Sequence, residues 1–183
     1  FVELPSQIME HWALEPEVLK SYAIHYETGE SIPDELIKKL KSAQTFNQGF
    51  ATTEYLAACY LDLAWHQHEG RAPEDVDGFE RQAMDDIHKI NMVDPRYRSA
   101  YFRHVFEGEH YSAGYYVYIW AEVLDADGFE AFREKGIFDQ ETARSFRSNI
   151  LEKGGSVPPM ELYRKFRGRE PDVAPLLKNR GLL

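Results

Sequence analysis

The sequence predicts an all-α fold, an irregular multi-helix bundle that occupies residues 1–183 as a single domain. Three observations predict it. Apolar residues recur at helical spacing in several separate stretches. No alternating run of useful length signals a strand, and no internal repeat is present. Glycine and proline interrupt the pattern too often for one long coiled coil. The 183 residues are enough to bury one proper core.

The elements follow in order. Ser31-Ile32-Pro33-Asp34 reads as a capping box, with Pro33 tolerated in the first turn. Behind it Ile32, Leu36, Ile37 and Leu40 fall on one face. Phe46, Phe50, Ala57, Leu61 and Ala64 form a second, longer stripe. Pro73, Glu74 and Asp75 open a third helix, since acidic residues favour the positive end of the helix dipole. Its stripe is Val76, Phe79, Ala83, Ile87 and Ile90. An aromatic-rich segment then runs from Tyr97 to Trp120 and on to Glu134, interrupted by a loop over Glu107 to Gly114. With a helix starting near Ser112, Tyr115, Tyr118 and Glu122 share one face, and Tyr116, Trp120 and Val123 another. Asp139 caps a further helix with Ala143, Phe146 and Ile150 inward. A turn over Gly154 to Pro159 leads to two short helices, Met160 to Phe166 and Asp172 to Leu177.

Composition narrows the partners. The chain is 43% hydrophobic and 28% charged, ordinary for a globular protein, with a formal net charge of −10. That charge argues against nucleic acid, whose binding needs a cationic surface to displace counterions. It also disfavours an anionic membrane surface. No apolar stretch approaches the roughly 20 residues that cross a bilayer as a helix. The lone Cys59 lies in the apolar run Tyr55 to Ala64 and reads as a small buried side chain rather than a nucleophile.

Local spacing offers little chemistry of its own. No two histidines stand four residues apart, so no His-x-x-x-His pair shares a helical face around a metal. His66 and His68 point away from each other and read as a polar face. Glu122, Asp125 and Asp127 read as a solvated helix end. His104, Glu107 and His110 superficially imitate a zinc motif, but Gly108 would break a helix between them. The tyrosines admit two readings: core aromatics, or hydroxyl donors to a developing oxyanion.

Three stretches carry a resemblance. Phe1-Val2-Glu3-Leu4-Pro5-Ser6-Gln7, followed by Glu10-His11-Trp12, resembles the segment beyond the zinc-binding H-E-F-G-H helix of the thimet oligopeptidase and peptidyl-dipeptidase family. His110-Tyr111-Ser112-Ala113-Gly114-Tyr115-Tyr116-Val117-Tyr118-Ile119-Trp120 resembles that family's tyrosine-rich loop and following helix. Leu162 to Arg169 and Leu176 to Leu182 look like the bacterial peptidyl-dipeptidase branch.

The resemblance implies a zincin-like helical metallopeptidase fold and a zinc peptidase of short peptides, releasing C-terminal dipeptides. It assigns Glu3 as a metal ligand, the third protein ligand beside two histidines of an H-E-x-x-H motif. It assigns Tyr111 and Tyr118 as catalytic donors to the polarised carbonyl, and Tyr115 to the substrate. His104 matches the family's substrate-binding loop histidine, and His110 competes for the role. Before its first tyrosine the family's loop carries a Gly-Gly pair, where this chain has Glu109-His110. No H-E-x-x-H occurs between Phe1 and Leu183, so the motif is expected upstream, in an N-terminal part of the same protein. This chain by itself is then expected to bind no catalytic zinc and to cleave nothing. A cytoplasmic location is expected, with periplasmic or organellar placement left open. Two other readings stand beside this one: a non-catalytic peptide- or protein-binding helical module, and a small metalloprotein using His104, Glu107 and His110.

Overall fold

Prolines and aspartates decide where many of the helices begin. Pro5, Pro16, Pro159 and Pro175 each stand in a first turn, where the missing amide hydrogen costs nothing. Asp75 and Asp139 cap with their side chains, accepting from Gly78 N at 2.8 Å and Thr142 N at 2.7 Å. The computed structural model describes all of residues 1–183 and contains ten α-helices and no sheet. These are α1 (Leu4–Ala13), α2 (Pro16–Tyr22), α3 (Asp34–Gln44), α4 (Gln48–Gln67), α5 (Val76–Asp86), α6 (Arg103–Phe106), α7 (Val117–Lys135), α8 (Gln140–Phe146), α9 (Pro159–Arg167) and α10 (Ala174–Asn179). The all-α prediction holds. No helix is long and apolar enough to cross a membrane.

The chain divides into two compact units, one of residues 1–46 and 118–183, the other of residues 47–117. The first unit is built around α7. Leu124, Phe129, Ala131 and Phe132 of α7 pack with Leu4 and Ile8 of α1, Phe146 of α8, Ile150, and Leu162, Tyr163 and Phe166 of α9. Each large apolar side chain so buried contributes roughly 1.5–3 kcal/mol. Gly128 permits the close approach, since a Cβ there would lie 3.3 Å from Ile8 Cδ1 and 3.5 Å from Phe166 Cε1. Trp12 closes one side, edge-on to Phe129 and Phe132 at 4.6 and 4.7 Å. The inward positions expected for the helix after Asp139 are confirmed, with Phe146 and Ile150 buried and Ala143 packed against the core.

Three expectations need correction in this first unit. The capping box does not form. Extended Pro33 is the N-cap residue of α3, it has no side-chain acceptor, and the Ser31 hydroxyl donates instead to the Lys20 carbonyl. Of the stripe behind it, Ile37 is buried while Leu36 and Leu40 are exposed. Asp125 and Asp127 are not a solvated helix end: they lie within α7 at 2% and 0% exposure. Their partners come from α1, α9 and the turn after it, which local spacing does not reveal.

The second unit packs α5 against α4 and the 3-10 turn Ser99–Tyr101. Ala57, Ala58, Leu61, Ala83 and Met84 are buried there. Buried Glu80 accepts from the Ser99 amide at 2.7 Å and hydroxyl at 2.9 Å, and from the Arg98 guanidinium. Phe46 falls outside the stripe assigned to it, because left-handed Asn47 starts α4 only at Gln48. Ile90 leaves its stripe for a similar reason. Left-handed His88 ends α5 in a Schellman motif, with Lys89 N bonded to Met84 O and His88 N to Asp85 O.

Cys59 is 4% exposed. Burial pushes its thiol up to about 11, partly offset by a hydrogen bond with Tyr55. The folded chain is expected to resist iodoacetamide at mildly alkaline pH and to react promptly once unfolded. Intact-mass measurement checks this, and rapid labelling of the folded chain would contradict it.

Candidate active site

Glu3 stands at the N-cap of α1, half-buried. Its side chain makes no capping bond to the helix, and Oε2 accepts from the Ser6 hydroxyl at 3.1 Å. One turn on, Gln7 Nε2 donates to the Tyr118 carbonyl at 3.3 Å. One turn further, His11 Nε2 lies 2.7 Å from Asp125 Oδ1, and its ring stacks on Phe129 at 4.8 Å. Burial raises the Asp125 carboxyl above its ordinary value, and His11 draws it back. Two polar contacts thus tie the helix that starts after Glu3 to the helix that carries Tyr118. Gln7 Oε1 is buried with no partner, which marks a polar, incompletely satisfied face one turn from Glu3.

In the second unit the loop before α7 carries the other candidates. Tyr111 is 45% exposed. The His104 ring, at the start of α6, meets Tyr111 edge-on at 5.0 Å and Tyr115 at 5.7 Å. His104 is half-buried and His110 exposed. The loop therefore groups His104, Tyr111 and Tyr115, and its ring contacts do not include His110.

The helix expected from Ser112 starts five residues later, at Val117. Tyr115 is therefore not on a helical face with Tyr118, and it is 7% exposed. Its ring packs on Tyr55 at 5.4 Å and Phe102 at 5.0 Å. Burial raises the Tyr115 phenol, opposed by the Arg96 guanidinium. The delayed start has a local cause. Asp62, 1% exposed on α4, accepts the Ala113 amide at 3.0 Å and the Tyr115 amide at 2.8 Å. Ala113 is left-handed at φ 54°, a conformation that costs a residue with a Cβ roughly 1–2 kcal/mol. A left-handed residue cannot continue a right-handed helix, so α7 starts only beyond it, and the carboxylate holds the amides on either side of Gly114 in that turn.

Sequence reading missed Asp62, Tyr55, His66, His11 and Asp125. A signal existed for one pair. Asp62 is the lone acid inside the apolar run Tyr55 to Ala64, and His66 follows it at i+4, the spacing that meets on a helix.

The donor set does not complete a metal site. No three histidine, cysteine, aspartate or glutamate side chains converge. His104, Glu107 and His110 therefore form no cage, and Glu3 alone is one ligand where zinc takes three or four from protein.

The sequence pattern of peptidase family M3 matches residues 1–182. The chain belongs to peptidase family M3. Among its M3 relatives, dipeptidyl carboxypeptidase of Escherichia coli (strain K12) is 45% identical over 184 residues, covering 100% of this chain and 27% of the relative. Oligopeptidase A of the same organism is 43% identical over 99% of this chain and 27% of its own length. Saccharolysin of Saccharomyces cerevisiae is 31% identical over 100% of this chain and 26% of its own length. The M3 chain thus spans about a quarter of the length of these relatives. The family resemblance read from Phe-Val-Glu and the tyrosine loop is confirmed.

Proposed function

We propose that this chain is part of the catalytic domain of a zinc-dependent peptidase acting on short peptides, and that the parent protein releases C-terminal dipeptides. The observation that carries the reading is the M3 match over residues 1–182, which includes Glu3 and the tyrosine loop. Dipeptide release is favoured over internal cleavage because dipeptidyl carboxypeptidase matches at 45% identity and along the whole chain. The 43% identity to oligopeptidase A keeps the margin small.

Glu3 is assigned as a metal ligand in the parent. Its carboxylate is not consumed by helix capping, and α1 is anchored by buried Leu4 and Ile8, so the ligand would sit on a rigid element. By itself this chain offers too few ligands, and we expect it to bind no catalytic zinc and to hydrolyse nothing. Tyr111 and Tyr118 are assigned as hydroxyl donors to the peptide carbonyl oxygen as negative charge develops on it. Such donors act in the transition state more than in the ground state, so they raise turnover more than affinity. His104, seated against Tyr111, is assigned to substrate binding ahead of His110. Tyr115, buried, supports the loop rather than reaching substrate.

The test is peptide hydrolysis by the full-length protein. Tyr118→Phe and Tyr111→Phe are each expected to lower kcat by roughly a hundredfold to a thousandfold while leaving KM nearly unchanged. Unchanged hydrolysis of a short peptide by Tyr118→Phe would remove its transition-state role.

A further inference from the structure

The loop that carries Tyr111 and Tyr115 is held by side chains that the assigned chemistry does not use. Asp62 is 1% exposed, in the C-terminal half of α4. A buried carboxylate is tolerated only when its oxygens are matched by donors. Here there are three. The Ala113 amide reaches Oδ1 at 3.0 Å and the Tyr115 amide reaches Oδ2 at 2.8 Å. His66 Nδ1, one turn along α4, lies 2.8 Å from Oδ1. Nδ1 is also 2.9 Å from the Asp62 carbonyl oxygen. Both neighbours are acceptors, so the imidazole carries a proton on Nδ1.

A second side chain of the same helix holds the other side of the peptide. The Tyr55 hydroxyl, itself buried, donates to the Tyr115 carbonyl at 2.6 Å. Both backbone groups of Tyr115 are thereby fixed from α4. Left-handed Ala113 turns its amide towards the same carboxylate, the arrangement of a backbone nest around an anion. Within the loop, Gly114 N bonds back to Tyr111 O at 3.3 Å, so the fixed residues lie one turn from Tyr111.

The geometry points to Asp62, with His66 and Tyr55, as a positioning clamp that sets the tyrosine loop in its working conformation. It rests on the peptidase reading only for what Tyr111 does once placed. None of the three is a catalytic residue: they act on the loop through backbone bonds. A loop pinned at Ala113 and Tyr115 does not depend on glycine hinges to find one conformation.

Asp62→Asn is the informative variant. It keeps the size but turns an NH2 group towards a backbone N–H, so one amide bond is lost. Tyr55→Phe is the milder companion, removing one hydroxyl. Hydrogen exchange by mass spectrometry on the 183-residue chain is the first measurement. Exchange over residues 108–117 is expected to rise roughly tenfold to a hundredfold in Asp62→Asn, and less in Tyr55→Phe, while α5 keeps its protection. Unchanged exchange in both variants overturns the clamp, and so does an equal rise throughout residues 47–117, which would mark a general structural role. The second measurement uses the full-length protein. Asp62→Asn is expected to lower kcat while KM and bound zinc hold. A looser loop with normal kcat in an active enzyme overturns the positioning role. If the unsubstituted protein hydrolyses no peptide, the peptidase reading fails instead, and the exchange result alone decides the clamp.

Discussion

Asp127→Ala is expected to destabilise the unit of residues 1–46 and 118–183 by about 3–5 kcal/mol, the usual cost of breaking a buried ion pair from one side. Asp127 is 0% exposed. Its Oδ2 accepts from the Tyr163 hydroxyl at 2.6 Å, and its Oδ1 from Arg169 Nη2 at 2.5 Å. Arg167 Nε lies 3.6 Å from Oδ2 and donates to the Asp127 carbonyl at 3.1 Å. Burial drives the Tyr163 phenol far above its ordinary value, and the hydrogen bond to Asp127 pushes the same way. Tyr163 thus serves as a donor to this carboxylate. Alanine would leave the 9%-exposed Arg167 side chain near an uncompensated cavity, although Glu134 still holds its other nitrogens at 2.6 and 3.2 Å. Arg169 is 46% exposed and can turn to water, which places the cost towards the lower end. In a thermal melt followed by circular dichroism the midpoint should fall by roughly 10 °C. Asp127→Asn, which keeps one acceptor oxygen for Tyr163, should lose less. A midpoint shift of only a degree or two in Asp127→Ala would show that the cluster is not a structural anchor.

The same residue shows where sequence reading reached its limit. Asp139 and the stripe Ala143, Phe146 and Ile150 were legible because cap and stripe are both local, within one helix and its turn. Asp127 looked solvated because its partners Tyr163 and Arg169 lie 36 and 42 residues away. Asp125 was misread in the same way, since His11 is 114 residues distant. The late start of α7 has the same origin. Gly114 disfavours a helix near Ser112 only weakly, and the carboxylate that captures the Ala113 amide belongs to α4, 51 residues earlier. His88 ended α5 early by taking a left-handed conformation that sequence pattern does not announce for histidine.

The candidate site was legible in a different way. Glu3 is an ordinary acid at a helix start, and the chemistry proposed for it rests only on its place in Phe-Val-Glu, within a family pattern. Tyr111 and Tyr118 likewise came from motif, not periodicity. What the structure adds is the support around them. Gln7 and His11–Asp125 bind α1 to α7, and Asp62 with Tyr55 holds the loop.

The largest functional effect is expected at Glu3. Zinc in peptidases takes three protein ligands and leaves a position open for water and substrate. Removing Glu3, the proposed ligand, should weaken binding by more than the roughly 10–100-fold that loss of an outer partner costs. It should also abolish hydrolysis, because the polarising charge is lost together with the ion. Glu3 is half-buried at the N-cap of α1 but makes no side-chain capping bond, and its contact with Ser6 is exposed, so Glu3→Ala should leave the fold intact. A comparison of melts separates that from simple unfolding. The most direct measurement is the zinc content of the full-length protein after dialysis, with and without Glu3→Ala. One zinc per unsubstituted chain is expected, and a folded Glu3→Ala protein that retains almost none. A folded Glu3→Ala protein that keeps stoichiometric zinc and full peptidase activity would contradict it.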